Sequence, residues 1–542
     1  MKYTKNSFLV GSLFFAFLTS ANAADVPNGT KLAKNQVLNL GVMDNPPTLD
    51  PQRMEDTASA RIGYDLYEGL VCEEEDGNVV PCIAERVSVS SDSLKYTFVI
   101  RKNAKFSDGS KITASDVVFS FRRLVDPKTA STYAYIAEPI LNATAVNNGS
   151  KKLSDFGVKA LTPTVVEITL EKPIAHFLKI LAMVNFSIVK EANVTQFKDQ
   201  FTQPSHLVSS GAFKLVYWRV GDKVTSEKNE HYWNAEKTMV TKVNYHPIVD
   251  ANSELQMYRS GQLDFTWGIP SDQMAKLKET IPNEIKAKPF LSMYYWDLNN
   301  KNPEFKNNIK LRQALSMAVD RNVLTRSVTK RGESPAYDLV PLGTQDYTQQ
   351  NYEWSNWSAE QRVAEAKKLF SEAGYSAEKP LKLKISYNTD INHKKVTLAV
   401  AAMWQNTFGR DGLQVELENQ EWKVFLKTRQ QGDYVVARDG WQADFNDAST
   451  FTDLLRSSNP QNNSKYTNNK IDDLLSKATI EKNPAERRKI LETSMRTAMA
   501  DYPVIPLYSY VTTHLVKPYV GGYTGKNPLD HMYTKYYYVI ER

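Results

Sequence analysis

Two spacings of apolar residues account for most of the chain. In residues 312–328, RQALSMAVDRNVLTRSV, Leu315, Ala318, Val319, Val323 and Val328 recur close to a helical period, and residues 359–374, AEQRVAEAKKLFSEAG, repeat the pattern and end on Gly374. Side chains so spaced share one face of a helix, and glycine suits the turn that closes one, so both segments are predicted as amphipathic helices. Other stretches alternate instead: KYTFVIRKNAKF at 95–106, TVVEITLE at 164–171, LKLKISYN at 381–388 and LQVELENQEW at 413–422. Alternation places every second side chain on one face of a pleated strand. Strands and helices interspersed in this way favour an α/β architecture with more than one sheet. No long internal repeat and no Gly- or Pro-rich linker divides the chain, so lobe boundaries are not legible from composition.

One apolar run breaks both patterns. FLVGSLFFAFL at 8–18 follows Lys2 and Lys5 and precedes Ala21-Asn22-Ala23. A basic start, a short apolar core and a small-residue site form the three parts of a secretory signal, a better fit than a buried helix. Cleavage after Ala23 is expected, with export to the periplasm and no lipid anchor, since no cysteine stands at the cleavage point.

The chain has 542 residues, 42% hydrophobic and 24% charged. That balance is globular, and the length exceeds what one core supports, so two or three lobes are expected. Loss of Lys2 and Lys5 takes the formal charge from +6 to +4, and the basic residues are dispersed, which argues against nucleic acid as a partner.

The two cysteines, Cys72 and Cys82, flank EEEDGNVVP. A three-residue turn at Asp76-Gly77-Asn78 would pair Glu75 with Val79 and set Cys72 opposite Cys82, so a structural disulfide is expected in an oxidising compartment.

Catalytic signatures are missing. There is no H-E-x-x-H, G-x-S-x-G or G-x-G-x-x-G, and the seven histidines (176, 206, 231, 246, 393, 514, 531) never fall within five residues of one another. GGYTGKN at 521–527 has the wrong spacing for a phosphate loop and reads as a turn. No metal, cofactor or catalytic residue is expected, although a triad assembled from distant residues would leave no sequence trace.

A series of segments then carries a resemblance: SDGSKITASDVVFSFRRLVDP (107–127), SSGAFKLVYW (209–218), EKNEHYWN (227–234), LRQALSMAVDR (311–321), NQEWKVFL (419–426), GWQADFND (440–447) and LVKPYVGGYTGKNPLDHMY (515–533). In order, from about residue 38 to the C-terminus, they resemble the large extracellular solute-binding proteins, family 5, of peptide and nickel ABC importers. The resemblance implies a type II periplasmic-binding-protein-like fold, with two main lobes joined by a hinge plus a third lobe. Lobe I would comprise 24–67, 191–291 and 512–542, lobe II 68–190, and lobe III 292–511. The ligand cleft would lie between lobes I and III, closing about the crossings near 291 and 512. The implied partners are short peptides and an inner-membrane ABC permease, for a protein acting as a monomer.

A peptide of this kind is a zwitterion, and each of its charges needs an opposite one when buried. By family position Asp444 would receive the peptide ammonium, and Arg438, His393 and Arg429 its carboxylate. A cleft that adds the peptide as a strand gains affinity from its main chain whatever its side chains. Trp441, Trp422, Tyr133 and Glu55 match pocket positions, and Gly440 would let a ligand backbone approach closely. Several departures bear on the ligand: Gln442 and Ser292 stand where enteric relatives carry a cysteine pair, Asp439 follows Arg438 where a small apolar residue is common in the family, Thr329 replaces a lysine beside Lys330 and Arg331, and FTWGIP at 265–270 is one residue shorter. Dipeptides, murein tripeptide, haem or chelated nickel are the alternative ligands within the family. An envelope chaperone and an exported peptidase are the alternatives outside it.

Overall fold

The alternating stretches find partners in three main sheets, seen in a computed structural model that describes residues 24–174, 176–481 and 483–542. The expected signal peptide lies outside the described residues. The first sheet has the order Val37–Val42, Lys242–Pro247, Lys223–Lys228, Phe213–Arg219, with the first pair parallel and the others antiparallel. The second is an antiparallel sheet of Ala84–Val89, Lys95–Ile100, Val165–Thr169 and Val158–Thr162. The third has six strands, in the order Ser334–Pro335, Val504–Leu515, Ile285–Leu298, Val436–Gln442, Leu381–Asn388, Leu413–Gln420. Among the described residues no helix is long and apolar enough to cross a membrane.

Two of these strands join the sheets. Ile285–Leu298 and Val504–Leu515 lie antiparallel at the centre of the six-stranded sheet, and their far ends reach the first sheet through bridges from Leu40 to Phe265 and from Phe265 to Val516. Their ladder shifts register twice, by one residue between Tyr294 and Tyr295 and more widely before it: Pro289 pairs with Val511 and Met293 with Ser509, leaving Phe290, Leu291 and Ser292 opposite Tyr510 alone. Proline has no N–H to contribute, which suits it to a break in pairing. Ser292 instead opposes Gln442 on the other neighbouring strand, the two positions at which relatives were expected to carry a cysteine pair.

The helix expected at 359–374 forms as Ala359–Glu372, closed at its start by reciprocal hydrogen bonds between Ser358 and Gln361 and followed by Gly374 at a φ of +94°. The helix expected at 312–328 does not run through. Ile309–Met317 ends, Asp320 caps a new turn by accepting from the Val323 N–H, and Leu324–Thr329 winds more loosely. Buried Arg321 explains the interruption: its guanidinium donates to the carbonyls of Ser316, Val319, Ala336 and Pro506, which an unbroken helix would partly consume. Trp422 also departs from its strand assignment. The strand stops at Gln420 and Trp422 opens the helix Trp422–Gln431, capped by Glu421.

The cysteine hairpin forms with a different register. Glu73 pairs with Val79 and Cys72 with Val80, so the three-residue loop is Glu75-Asp76-Gly77. Such loops need a left-handed residue in last place, and Gly77, at a φ of +84°, takes it. Cys72 and Cys82 are therefore diagonal rather than opposed, yet their Cα atoms stand 5.8 Å apart and the disulfide is present.

Candidate functional site

A cavity of about 320 Å³ lies where the six-stranded sheet faces the helix Thr57–Leu66 and the loops after the first sheet, and all nine candidate residues of the sequence reading line it. Its floor is the strand Val436–Gln442, whose alternation sends Arg438 to one face and Asp439 and Trp441 to the other. The helix Trp422–Gln431 brings Trp422 and Arg429 to the second face, and the first turn of Ile391–Phe408, capped by Asp390, brings His393 to the first.

The three aspartates of ARDGWQADFNDASTF have different fates. Asp447 is held by both terminal nitrogens of Arg487, at 2.7 and 2.9 Å, and its acidity is strengthened accordingly. Asp439, buried, pairs with Arg429 and accepts from the Gly440 N–H at 2.7 Å and Asn463 Nδ2 at 3.1 Å. Asp444 forms no ion pair among the described residues. Burial, with the Asp453 carboxylate adding to it, pushes Asp444 up to about 8 against the pull of the Tyr133 hydroxyl. Burial raises the hydroxyls of Tyr64, Tyr133 and Tyr135, and the Asp444 carboxylate adds to it in each case. A cation delivered here would meet a ready acceptor.

The opposite charge waits on the other face of the strand. Arg438 is 7% exposed, donates to the Tyr510 hydroxyl at 2.7 Å and lies 5.0 Å over the Tyr294 ring, with no carboxylate partner among the described residues and with Nε unbonded. His393 is buried beside it, and burial followed by the charges of Arg438 and Arg331 holds the imidazole well below its usual range, hence neutral. Its Nδ1 has no hydrogen-bond partner. Arg331 also lines the cavity but is bound to buried Glu333 at 2.7 Å, and Thr329 donates to the same carboxylate. Arg429 is likewise occupied, by Asp439. Of the three basic groups expected to meet a carboxylate, Arg438 is the one with a free charge.

Between these poles the walls are aromatic. Tyr133 and Trp441 stack with centroids 6.3 Å apart and planes 9° from parallel, and the indole nitrogens of Trp441 and Trp422 have no partner. Gly440 serves differently from the expectation: a Cβ there would stand 3.1 Å from the Arg438 guanidinium and 3.5 Å from Tyr510, so the space it leaves is used by the protein's own side chains as well as open to the cavity. Glu55 accepts from Thr132 at 2.8 Å and from Gln430 Nε2 at 2.6 Å, a contact that spans the cavity. Outside the cavity lining, Lys395 pairs with Asp272 at 3.3 Å.

Sequence reasoning missed several lining groups. Tyr510 lies 72 residues beyond the arginine it holds, and no local pattern ties the two. Asp56 caps the helix Thr57–Leu66, and burial raises it to about 6 with Oδ2 unbonded. Glu254 accepts from Trp267 and Gly268 in the shortened loop, and burial raises it to about 7.

Known proteins are similar to this chain over nearly its whole length. The pattern of the bacterial extracellular solute-binding proteins, family 5, matches residues 78–463. The chain belongs to that family. It is 38% identical over 543 residues, 99% of each chain, to the periplasmic oligopeptide-binding protein of Salmonella typhimurium. Among solved structures, the Haemophilus influenzae oligopeptide-binding protein in complex with RPPGFSPFR superposes with a TM-score of 0.91 at 35% identity, covering 94% of this chain and 100% of that one. The Escherichia coli murein tripeptide-binding protein superposes with a TM-score of 0.92 at 36% identity, covering 95% and 100%, whereas its unliganded open form gives 0.67 at the same identity, covering 95% and 99%. With sequence and coverage nearly constant, that drop separates the present conformation from the open one.

Proposed function

We propose that the protein is the periplasmic substrate-binding component of an ABC importer, capturing short oligopeptides by their main chain and charged termini and handing them to an inner-membrane permease. The observation that carries this reading is one cavity holding a buried acid that keeps its proton for want of a cation, Asp444, and a buried guanidinium, Arg438, neither of which has an ionic partner among the described residues. A buried charge without a partner costs several kcal/mol, so an acid and a guanidinium left unmatched in one cavity are best explained by a ligand that supplies both partners. A free peptide does so. The six-stranded sheet presents its Val436–Gln442 strand between the two charges, which suits an extended guest.

In this reading the lobes are 24–67 with 191–291 and 512–542, then 68–190, then 292–511, and the first and third close on the ligand about the paired strands near 291 and 512. The protein works as a monomer, exported after cleavage behind Ala23, and leaves its peptide intact. Calorimetry with a tetrapeptide, its N-acetylated form and its C-amidated form tests the proposal. Tight binding of the free peptide alone is expected. Equal binding of all three, or hydrolysis of the free peptide, overturns it.

A further inference from the structure

Among the described residues four guanidinium groups line the cavity, those of Arg61, Arg331, Arg429 and Arg438, and no lysine does. Three are already matched inside the protein: Arg61 by Asp65 at 3.0 Å, Arg331 by Glu333 at 2.7 Å, and Arg429 by Asp439. The last pair differs from the others in position. Asp65 and Glu333 stand behind the wall, whereas Asp439 is itself part of it. Asp439 is the acidic residue at a position where the family resemblance led us to expect a small apolar one, and it faces Arg429 because strand alternation and the neighbouring helix set the two side chains on the same side.

We propose that Asp439 is the specificity-determining residue of this cleft: by cancelling Arg429 it leaves a single free cation, Arg438, so that the accepted ligand carries one carboxylate, its C-terminus, and peptides with an acidic side chain are rejected. This rests on the peptide-binding reading above. A wall with Arg429 unpaired would present two guanidinium groups on opposite faces of one strand, enough for a terminal carboxylate and a second carboxylate from a side chain. With Asp439 in place, a second carboxylate directed at Arg429 meets the Asp439 carboxylate instead of a free cation. Like charges brought together in a desolvated site repel strongly, so the discrimination comes from repulsion as well as from a missing attraction. Asp297 also acts on Arg429 through space, but it does not line the cavity and so meets no ligand.

The test is calorimetry on the mature protein with tetra-alanine and with the four peptides in which one alanine is replaced by glutamate, beside the matching lysine series. For at least one position the glutamate peptide is expected to bind at least tenfold more weakly than tetra-alanine, with the lysine peptide at that position not weakened. Asp439→Asn is expected to shrink that ratio at least tenfold, and the double variant Arg429→Gln with Asp439→Asn to restore part of the discrimination, since Arg438 is then again the one free guanidinium, although the repulsion by Asp439 is gone. Glutamate tolerated at every position by the unaltered protein overturns the proposal without any variant, as does a ratio unchanged by Asp439→Asn. Failure of tetra-alanine itself to bind removes the peptide reading as well, so the two failures are distinguishable.

Discussion

In the empty cleft Asp444 holds its proton up to about pH 8, because burial and Asp453 disfavour the charged form. Capture of a peptide ammonium requires the carboxylate, so below pH 8 binding must expel one proton. The peptide's own α-amino group loses its proton at about 7.7–8.0. With both groups near 8, affinity should rise roughly eightfold from pH 6 to 7 and about threefold more from 7 to 8, then fall as the amine becomes neutral. Asp444→Asn should abolish this dependence and weaken binding by about 2–5 kcal/mol, the range for removing one partner of a desolvated charge pair. It should also stabilise the empty protein. The folded carboxyl is raised above its ordinary 3.8, so the folded state binds more protons than the unfolded chain between about pH 4 and 8, and stability falls as pH rises through that window. At pH 7 the amount lost is up to about 4 kcal/mol, at 1.36 kcal/mol per pH unit, and the asparagine variant recovers it. The assay is calorimetry in buffers of different ionisation enthalpy, which counts protons directly, with thermal melts of the empty protein. Affinity flat from pH 6 to 8, no proton released, or an asparagine variant that melts earlier would refute the assignment.

Three further outcomes follow from the geometry. Arg438→Met should weaken free tetrapeptide by about 2–5 kcal/mol in the same titration while leaving the already weak C-amidated form unchanged. Gln430→Ala removes the hydrogen bond to Glu55 across the cavity and should cost about 1 kcal/mol in affinity, with a larger radius of gyration for the empty protein in solution scattering. Replacing Cys72 and Cys82 by serine should lower unfolding free energy by about 3 kcal/mol for a loop of this length, read by denaturant titration, with peptide affinity unaffected.

Legibility of the fold followed how local its causes were. Ser358, Gln361 and Gly374 lie within or beside the helix they delimit, and that helix was readable with both ends. The break at Asp320 was not, because it depends on Arg321 reaching carbonyls as far off as Pro506. The hairpin register turned on which loop position needed a positive φ, and the expectation gave Gly77 the second place when the turn required it in the third. At the candidate site, the residue types at 438, 441 and 444 came from the family resemblance, and the structure brings them to one cavity. What each is free to do depends on neighbours distant in sequence: Tyr510 for Arg438, Asp453 for Asp444, and the strand-to-helix pairing that occupies Arg429.

The lapse in the ladder between Pro289 and Met293 has a mechanical meaning. A twin ribbon loosened at this level has a zone of greater compliance between bonded segments: the main chain of Leu291 and Ser292 is tied there to Pro528, Ala443 and Gln442 and not to its twin, so flexing strips no hydrogen bond from between the two strands. Two tethers side by side also resist torsion, which leaves a swing about one axis as the soft mode. The work of gaping is then set by the few contacts across the mouth, such as Glu55 with Gln430 and Lys395 with Asp272, and a ligand with a handful of good contacts is enough to hold it shut.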